Sequence, residues 1–227
     1  MTFRIGFLLY PDLTQLDMTG PAQVLARMSG AELHFVWKTR DPVPSDSPLA
    51  LVPTTTLADC PSLDMICVPG GYGCTAVMRD QEVLDWLRAQ AATAQVISSV
   101  CTGSLILAAA GLLDGYHAGC HWAWGDQLAL FGAEFVRERV VADRNRITGG
   151  GVTAGIDFAF RVIERLRGRT EAEAIQLVLE YDPQPLAGGT PETADPVVLE
   201  RVKAVITQRL GTRRTVIEAI AKAQEPA

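Results

Sequence analysis

The sequence predicts an α/β fold, a mostly parallel sheet sandwiched by helices with a C-terminal helical extension. Three observations lead there. Short runs rich in apolar and β-branched residues, at 4–10, 32–38, 63–68 and 95–100, alternate with stretches of helical period, which implies parallel strands joined by helical crossovers. Two of these runs, RIGFLLY and LDMICV, read as strands buried on both faces. No linker or internal repeat divides the 227 residues. One domain is therefore expected over 1–227, with a core at about 3–182 and the extension at about 183–227.

RIGFLLY (4–10) is the first strand. The loop PDLTQLDMTG leads to a helix expected to open at Pro21, whose fixed φ suits a first helical position. ELHFVWK (32–38) is the second strand, DPVPSDSP is a loop, and the residues around 49–56 suggest a short hairpin. LDMICV (63–68) is a strand that runs into PGGYG. In DQEVLDWLRAQAA (80–92), Val83, Leu84, Leu87 and Ala91 share one helical face. QVISSV is a strand, and TGSLILAAAGLL is a helix apolar on nearly every side, hence central. VRERVVADRNRITGG reads as two strands joined by an Asp-Arg-Asn turn. Helices follow at about 152–167 and 170–181, and one amphipathic helix at about 195–222 closes the chain.

Composition limits the functional classes. Hydrophobic residues make up 48% and charged residues 20%, ordinary values for a soluble domain. A net charge of −6 argues against a broad nucleic-acid or anionic-membrane surface. Arg209, Arg213 and Arg214 form the nearest thing to a basic cluster, and a solvated helix face is expected for them. No run approaches the roughly 18 apolar residues of a membrane span, and no targeting segment is visible. The five cysteines are irregularly spaced, so reduced thiols and a cytoplasmic location are expected.

The chemistry concentrates at SSVCTGSL (98–105). Cys101 stands where a strand gives way to a helix, with small Ser99 and Gly103 two residues away on either side. That is the logic of a nucleophile elbow, a turn too tight for larger neighbours. A helix starting at Thr102 is expected to favour thiolate at Cys101. PGGYG ends a neighbouring strand, where Gly71 and Thr102 are the expected backbone donors to an oxyanion. Asp17 follows the first strand on the same sheet edge and is either an acid held protonated by burial or a helix cap. In HAGCH (117–121) no recognisable metal spacing is present; His121 either lines a pocket or packs structurally. Gly149-Gly150-Gly151 with Ala154 matches a dinucleotide fingerprint, but no strand ending in an acid follows it. No metal or organic cofactor is expected. Cys67 belongs to the core, while Cys60, Cys74 and Cys120 have no evident role.

Taken together, LDMTGP, VPGGYG, SVCTGSLILAAAGLLDG, CHW and ITGGGVTAGIDFAF resemble the ThiJ/PfpI superfamily, whose sheet is flavodoxin-like. The resemblance covers residues 3–185 or so. Within the superfamily the isocyanide hydratase branch is most alike: Thr102 stands where protease-like members usually carry His, and Asp17 where they carry Glu. The resemblance implies Cys101 as nucleophile, Asp17 as acid/base and Thr102 as a positioning group. It implies a small-molecule isocyanide as substrate and a homodimer; attack of the Cys101 thiolate on the isocyanide carbon is then expected to give a thioimidate and, with water, an N-substituted formamide. Tyr72, Gly150, Ile156 and His121 are candidates for the pocket or for a mobile helix at 152–167, with Gly150 as hinge. A glyoxalase- or deglycase-type cysteine enzyme and a non-catalytic sensor domain remain alternatives. The sensor reading is disfavoured because too few residues follow Pro185 for the usual two-motif DNA-binding region.

Overall fold

Strands with apolar side chains on both faces can be buried only beneath two layers of helices. The computed structural model, which describes residues 2–224, has that arrangement. The N-terminal half runs β1 (Phe3–Leu8), α1 (Gln15–Leu25), β2 (Ala31–Trp37), β3 (Val43–Pro44), β4 (Ala50–Leu51), β5 (Thr55–Thr56), β6 (Met65–Val68), α2 (Cys74–Val77) and α3 (Gln81–Ala91). Then come β7 (Val96–Val100), α4 (Gly103–Ala109), β8 (His117–Ala118), β9 (Glu134–Phe135), β10 (Val140–Asp143) and β11 (Arg146–Gly149). Four helices finish the chain: α5 (Ala154–Arg167), α6 (Arg169–Val178), α7 (Pro196–Leu210) and α8 (Arg213–Gln224). The expected limits 1 and 225–227 lie outside the described residues.

The main sheet has seven strands in the order β10-β11-β7-β6-β1-β2-β5. Its neighbours are parallel except at the β10–β11 edge, a hairpin. From β1 the chain builds outward through β2 on one side, then returns to lay β6, β7 and β11 on the other. The strand order therefore reverses between β1 and β6. Ligand sites of open parallel sheets lie outside the carboxyl ends of the strands at such a reversal, because adjacent loops diverge there and leave a crevice. Asp17, the Pro69–Gly73 loop and Cys101 follow β1, β6 and β7 respectively.

Several boundaries differ from expectation, each for a local reason. The first helix begins at Gln15 and carries Pro21 inside it, so Asp17 lies in the first helical turn rather than in a loop. The expected hairpin at 49–56 is instead β3 paired with β4, while β5 extends the main sheet beside β2. α4 is shorter than TGSLILAAAGLL because Gly111, at φ +74°, takes the left-handed conformation that ends helices. The last helix is two helices, broken at Gly211 and Thr212. A 3-10 turn at Gly125–Phe131 and the small β8–β9 pairing occupy a segment given no element from sequence.

Candidate active site

Cys101 adopts φ +59°, a left-handed conformation uncommon for a residue with a Cβ. It is held there by its own N–H, which donates to Gly150 O at 2.9 Å and Gly149 O at 3.1 Å. The turn is tight enough that a Cβ on Gly103 would lie 2.0 Å from Val68 O, so the small residue there is a steric requirement. Behind the elbow, Ser104 donates to Gly119 O at 2.5 Å and meets the Ser99 hydroxyl at 2.8 Å. The Thr102 and Val152 N–H groups lie close enough to the Cys101 sulfur to favour its charged form. Val152, just before α5, is itself strained at φ +27°.

The glycine loop after β6 ties the acid to the elbow. Gly70 N–H donates to Asp17 Oδ2 at 2.9 Å, and Gly71 N–H donates to Thr102 Oγ1 at 3.1 Å. Of the expected oxyanion donors, Gly71 N–H is occupied within the protein by the threonine hydroxyl, while Thr102 N–H lies beside the sulfur. Gly70 was not singled out from sequence, although the doubled glycine of PGGYG was the available signal. A Cβ there would meet Thr102 N at 2.6 Å and Asp17 Oδ2 at 2.9 Å. Gly70→Ala should therefore push the acid and the elbow apart. A misplacement of this kind costs roughly 10²-fold in rate, so steady-state kinetics should show kcat falling with the chain still folded.

Asp17 is fully buried. Burial pushes its pKa up to about 7, the charge of Asp46 adds to that, and the Gly70 N–H and the Cys101 side chain pull it back. Its other oxygen, Oδ1, is buried without a partner that meets hydrogen-bond geometry. The Cys101 thiol is also pushed up, first by burial, then by the charges of Asp17 and Cys120; the Thr102 and Val152 N–H groups oppose this. Burial therefore outweighs the helix end that was expected to favour thiolate. The two groups cannot both be charged in this dry site, so they behave as a pair sharing one negative charge.

The remaining candidates fall into different places. His121 lines a cavity of about 520 Å³ together with Cys120, Trp122, Phe135, Gly150 and Val152. Burial lowers its pKa to about 4, so the ring is neutral near pH 7, and Nδ1 accepts from Ala123 N–H at 3.2 Å. Gly150 belongs to this cavity and to the Cys101 support. Ile156 packs toward α1 at Gly20. Tyr72 is partly exposed and its hydroxyl is held by Arg209 at 3.0 Å. His117 turns to the surface against Asp143 and Glu134, and no cluster of three potential metal ligands occurs among the described residues. Cys67 is core, Cys60 is half-buried, and Cys74 donates to Thr102 O at 3.3 Å; burial raises all three thiols, to about 12, 11 and 11. Arg213 is not on a solvated face: it is 5% exposed and reaches the glycine loop.

The chain is 49% identical over 222 residues to an isonitrile hydratase of Pseudomonas putida, covering 97% of each. It is 34% identical to the transcriptional regulator GbdR of Pseudomonas aeruginosa, over 78% of this chain and 50% of that protein. Its fold matches the crystal structure of a ThiJ/PfpI family protein from Pseudomonas syringae with a TM-score of 0.92 and 43% identity, over 97% of this chain and 91% of the other. The DJ-1/PfpI family model matches residues 3–165. With the matched segment spanning β1, the glycine loop and the cysteine elbow, the chain belongs to the DJ-1/PfpI family.

Proposed function

We propose that this protein hydrates an isocyanide (isonitrile), R–N≡C, to the N-substituted formamide. The observation that carries the reading is the buried Asp17–Cys101 pair: a carboxyl raised to about 7 beside a thiol, with Asp17 Oδ1 unpartnered. The 49% identity to the Pseudomonas putida isonitrile hydratase supports the choice of substrate. The terminal carbon of an isocyanide accepts a soft nucleophile and a proton at the same atom. The one-proton pair supplies both once the thiol proton passes to the Asp17 carboxylate, which gives a thiolate beside a neutral carboxylic acid.

In the first step the Cys101 sulfur bonds to the isocyanide carbon and Asp17 gives that carbon its proton, leaving the thioimidate R–N=CH–S–Cys and an ionised Asp17. Asp17 then takes a proton from water as hydroxide adds to the same carbon, and passes that proton to nitrogen. Collapse of R–NH–CH(OH)–S–Cys breaks the C–S bond, with the hydroxyl proton going to Asp17. R–NH–CHO leaves, and the thiolate and neutral acid are restored. Splitting the hydration into two additions is the gain from covalent catalysis. Thr102 holds the glycine loop through its hydroxyl, and its N–H favours the charged sulfur.

The test is formamide production, followed by chromatography, from an alkyl and an aryl isocyanide, with methylglyoxal assayed in parallel. Turnover of the isocyanides supports the reading. Turnover of methylglyoxal alone, or stoichiometric binding without product, overturns it. A pH dependence should accompany turnover. The reactive form of the pair holds one proton, so kcat/KM should rise as pH increases through about 7, where the doubly protonated pair loses its first proton. It should then stay level until the alkaline range where the thiol is titrated. A profile flat from pH 5 to 8 would count against the shared proton.

A further inference from the structure

We propose that Arg213, on the C-terminal helix α8, is a positioning residue of the active site that clamps the glycine loop in its working orientation. The hydration reading above is needed for only one arm of its test. Arg213 Nη2 donates to Gly71 O and to Tyr72 O, each at 2.9 Å. Its guanidinium lies 5.1 Å from the Trp124 ring centroid. Among the described residues it forms no salt bridge with a carboxylate. A guanidinium buried against carbonyls is costly unless those contacts are strong and well aimed.

The contacts matter because of what lies on the other face of the loop. Gly70 and Gly71 use their N–H groups to hold Asp17 and Thr102, so the loop works only while these peptides keep one orientation. Glycine resists rotation of its flanking peptides less than any other residue, and Gly71 stands at φ +147°, a value available to few others. Fixing two successive carbonyls on one planar cation blocks that rotation from outside. The last turn of α7 adds a second hold: Arg209 donates to the Tyr72 hydroxyl and lies 4.9 Å from its ring centroid. Arg209 lies in the last turn of α7 and Arg213 opens α8, with the break at Gly211 and Thr212 between them. The groups around Arg213 are Tyr10, Cys74, Cys120 and His121, each of which feels its charge.

The experiment compares wild type with Arg213→Met, Arg213→Lys and, as a control on the same helix, Arg214→Met. Arg214 pairs with Asp126 and donates to Ala123 O, so its loss weakens α8 docking without touching the loop. Two readouts are taken below the melting temperature: kcat and KM for isocyanide hydration, and the rate of Cys101 alkylation by iodoacetamide from peptide mass spectrometry. Arg213→Met should lose roughly 10²-fold in kcat with KM changed by less than about threefold, and its alkylation rate should fall. Arg213→Lys should restore most of both, and Arg214→Met should match wild type. If Arg213→Met does not fold, Arg213→Gln, which keeps one donor, takes its place with the same expectations. Wild-type kcat in the Met or Gln variant, or a loss in Arg214→Met equal to that in Arg213→Met, overturns the proposal. Should wild type hydrate no isocyanide, the hydration reading fails, while the alkylation arm still decides the role of Arg213.

Discussion

Replacing Cys101 with alanine is expected to take isocyanide hydration to the background rate, a loss on the order of 10⁴-fold or more. No other described side chain at the site can replace it. Cys120 and Cys74 are buried thiols raised by burial, and His121 is neutral with one nitrogen engaged by Ala123 N–H. The variant should fold, because alanine retains the Cβ and leaves the backbone hydrogen bonds of residue 101 to Gly149 and Gly150 in place. Wild type mixed with an isocyanide and quenched in acid should show the Cys101 peptide heavier by the mass of one isocyanide. Circular dichroism, formamide assay and mass spectrometry together make the check. Turnover retained by the alanine variant, or an adduct on another cysteine, would sink the assignment of Cys101 as nucleophile.

Asp17→Asn should lose on the order of 10³-fold in turnover, the scale of a lost proton carrier, and at the same time gain stability above pH 7. The sign follows from linkage. An aspartate ionises near 3.9 in an unfolded chain, whereas Asp17 in the folded protein is raised to about 7 by burial. Between those values the unfolded chain has released a proton that the folded protein keeps. Folding stability therefore falls as pH rises from about 4 to about 7, and stays reduced above it. Asparagine removes this dependence and can still accept the Gly70 N–H. The pH-dependent cost removed is roughly 4 kcal/mol, and burying the amide costs about 2 kcal/mol. The variant should therefore be more stable than wild type by about 2 kcal/mol above pH 7, and less stable by about 2 kcal/mol near pH 4. Thermal melts at both pH values check this. An Asp17→Asn enzyme active to within tenfold of wild type would falsify the acid/base role, and an unchanged melting temperature at pH 8 would contradict the cost of burying the carboxylate.

The opposite directions of those two effects indicate how the site is maintained. A carboxyl with a raised pKa, a left-handed cysteine and a strained Val152 each cost stability. The surrounding sheet and its covering helices supply enough to hold them. Gly70, Gly71 and Arg213 then act on alignment rather than on charge transfer. Their loss should appear in kcat before it appears in the fold.

Much of this was legible one segment at a time. The order of strands and helices followed from local periodicity, because whether a residue faces the core repeats every two or 3.6 positions along the chain. The elbow was legible because its requirements, Ser99, Cys101 and Gly103 at a strand-to-helix corner, fit inside five residues. Asp17 could only be narrowed to an acid or a helix cap, since its protonation depends on burial that no nearby residue announces. Its partner Gly70 lies 53 positions away. Arg213 lies 142 positions from Gly71 and was read as solvated, because a cation in an amphipathic helix with exposed basic neighbours carries no local mark of burial. The strands at 4–10, 32–38, 63–68 and 95–100, the helices between them in outline and the cysteine at its corner were legible in the sequence, through interactions among near neighbours. Tertiary structure alone decided the acid's pKa, the use of the glycine N–H groups and the arginine behind them, because each depends on which strand ends and helix termini the crossovers bring into contact.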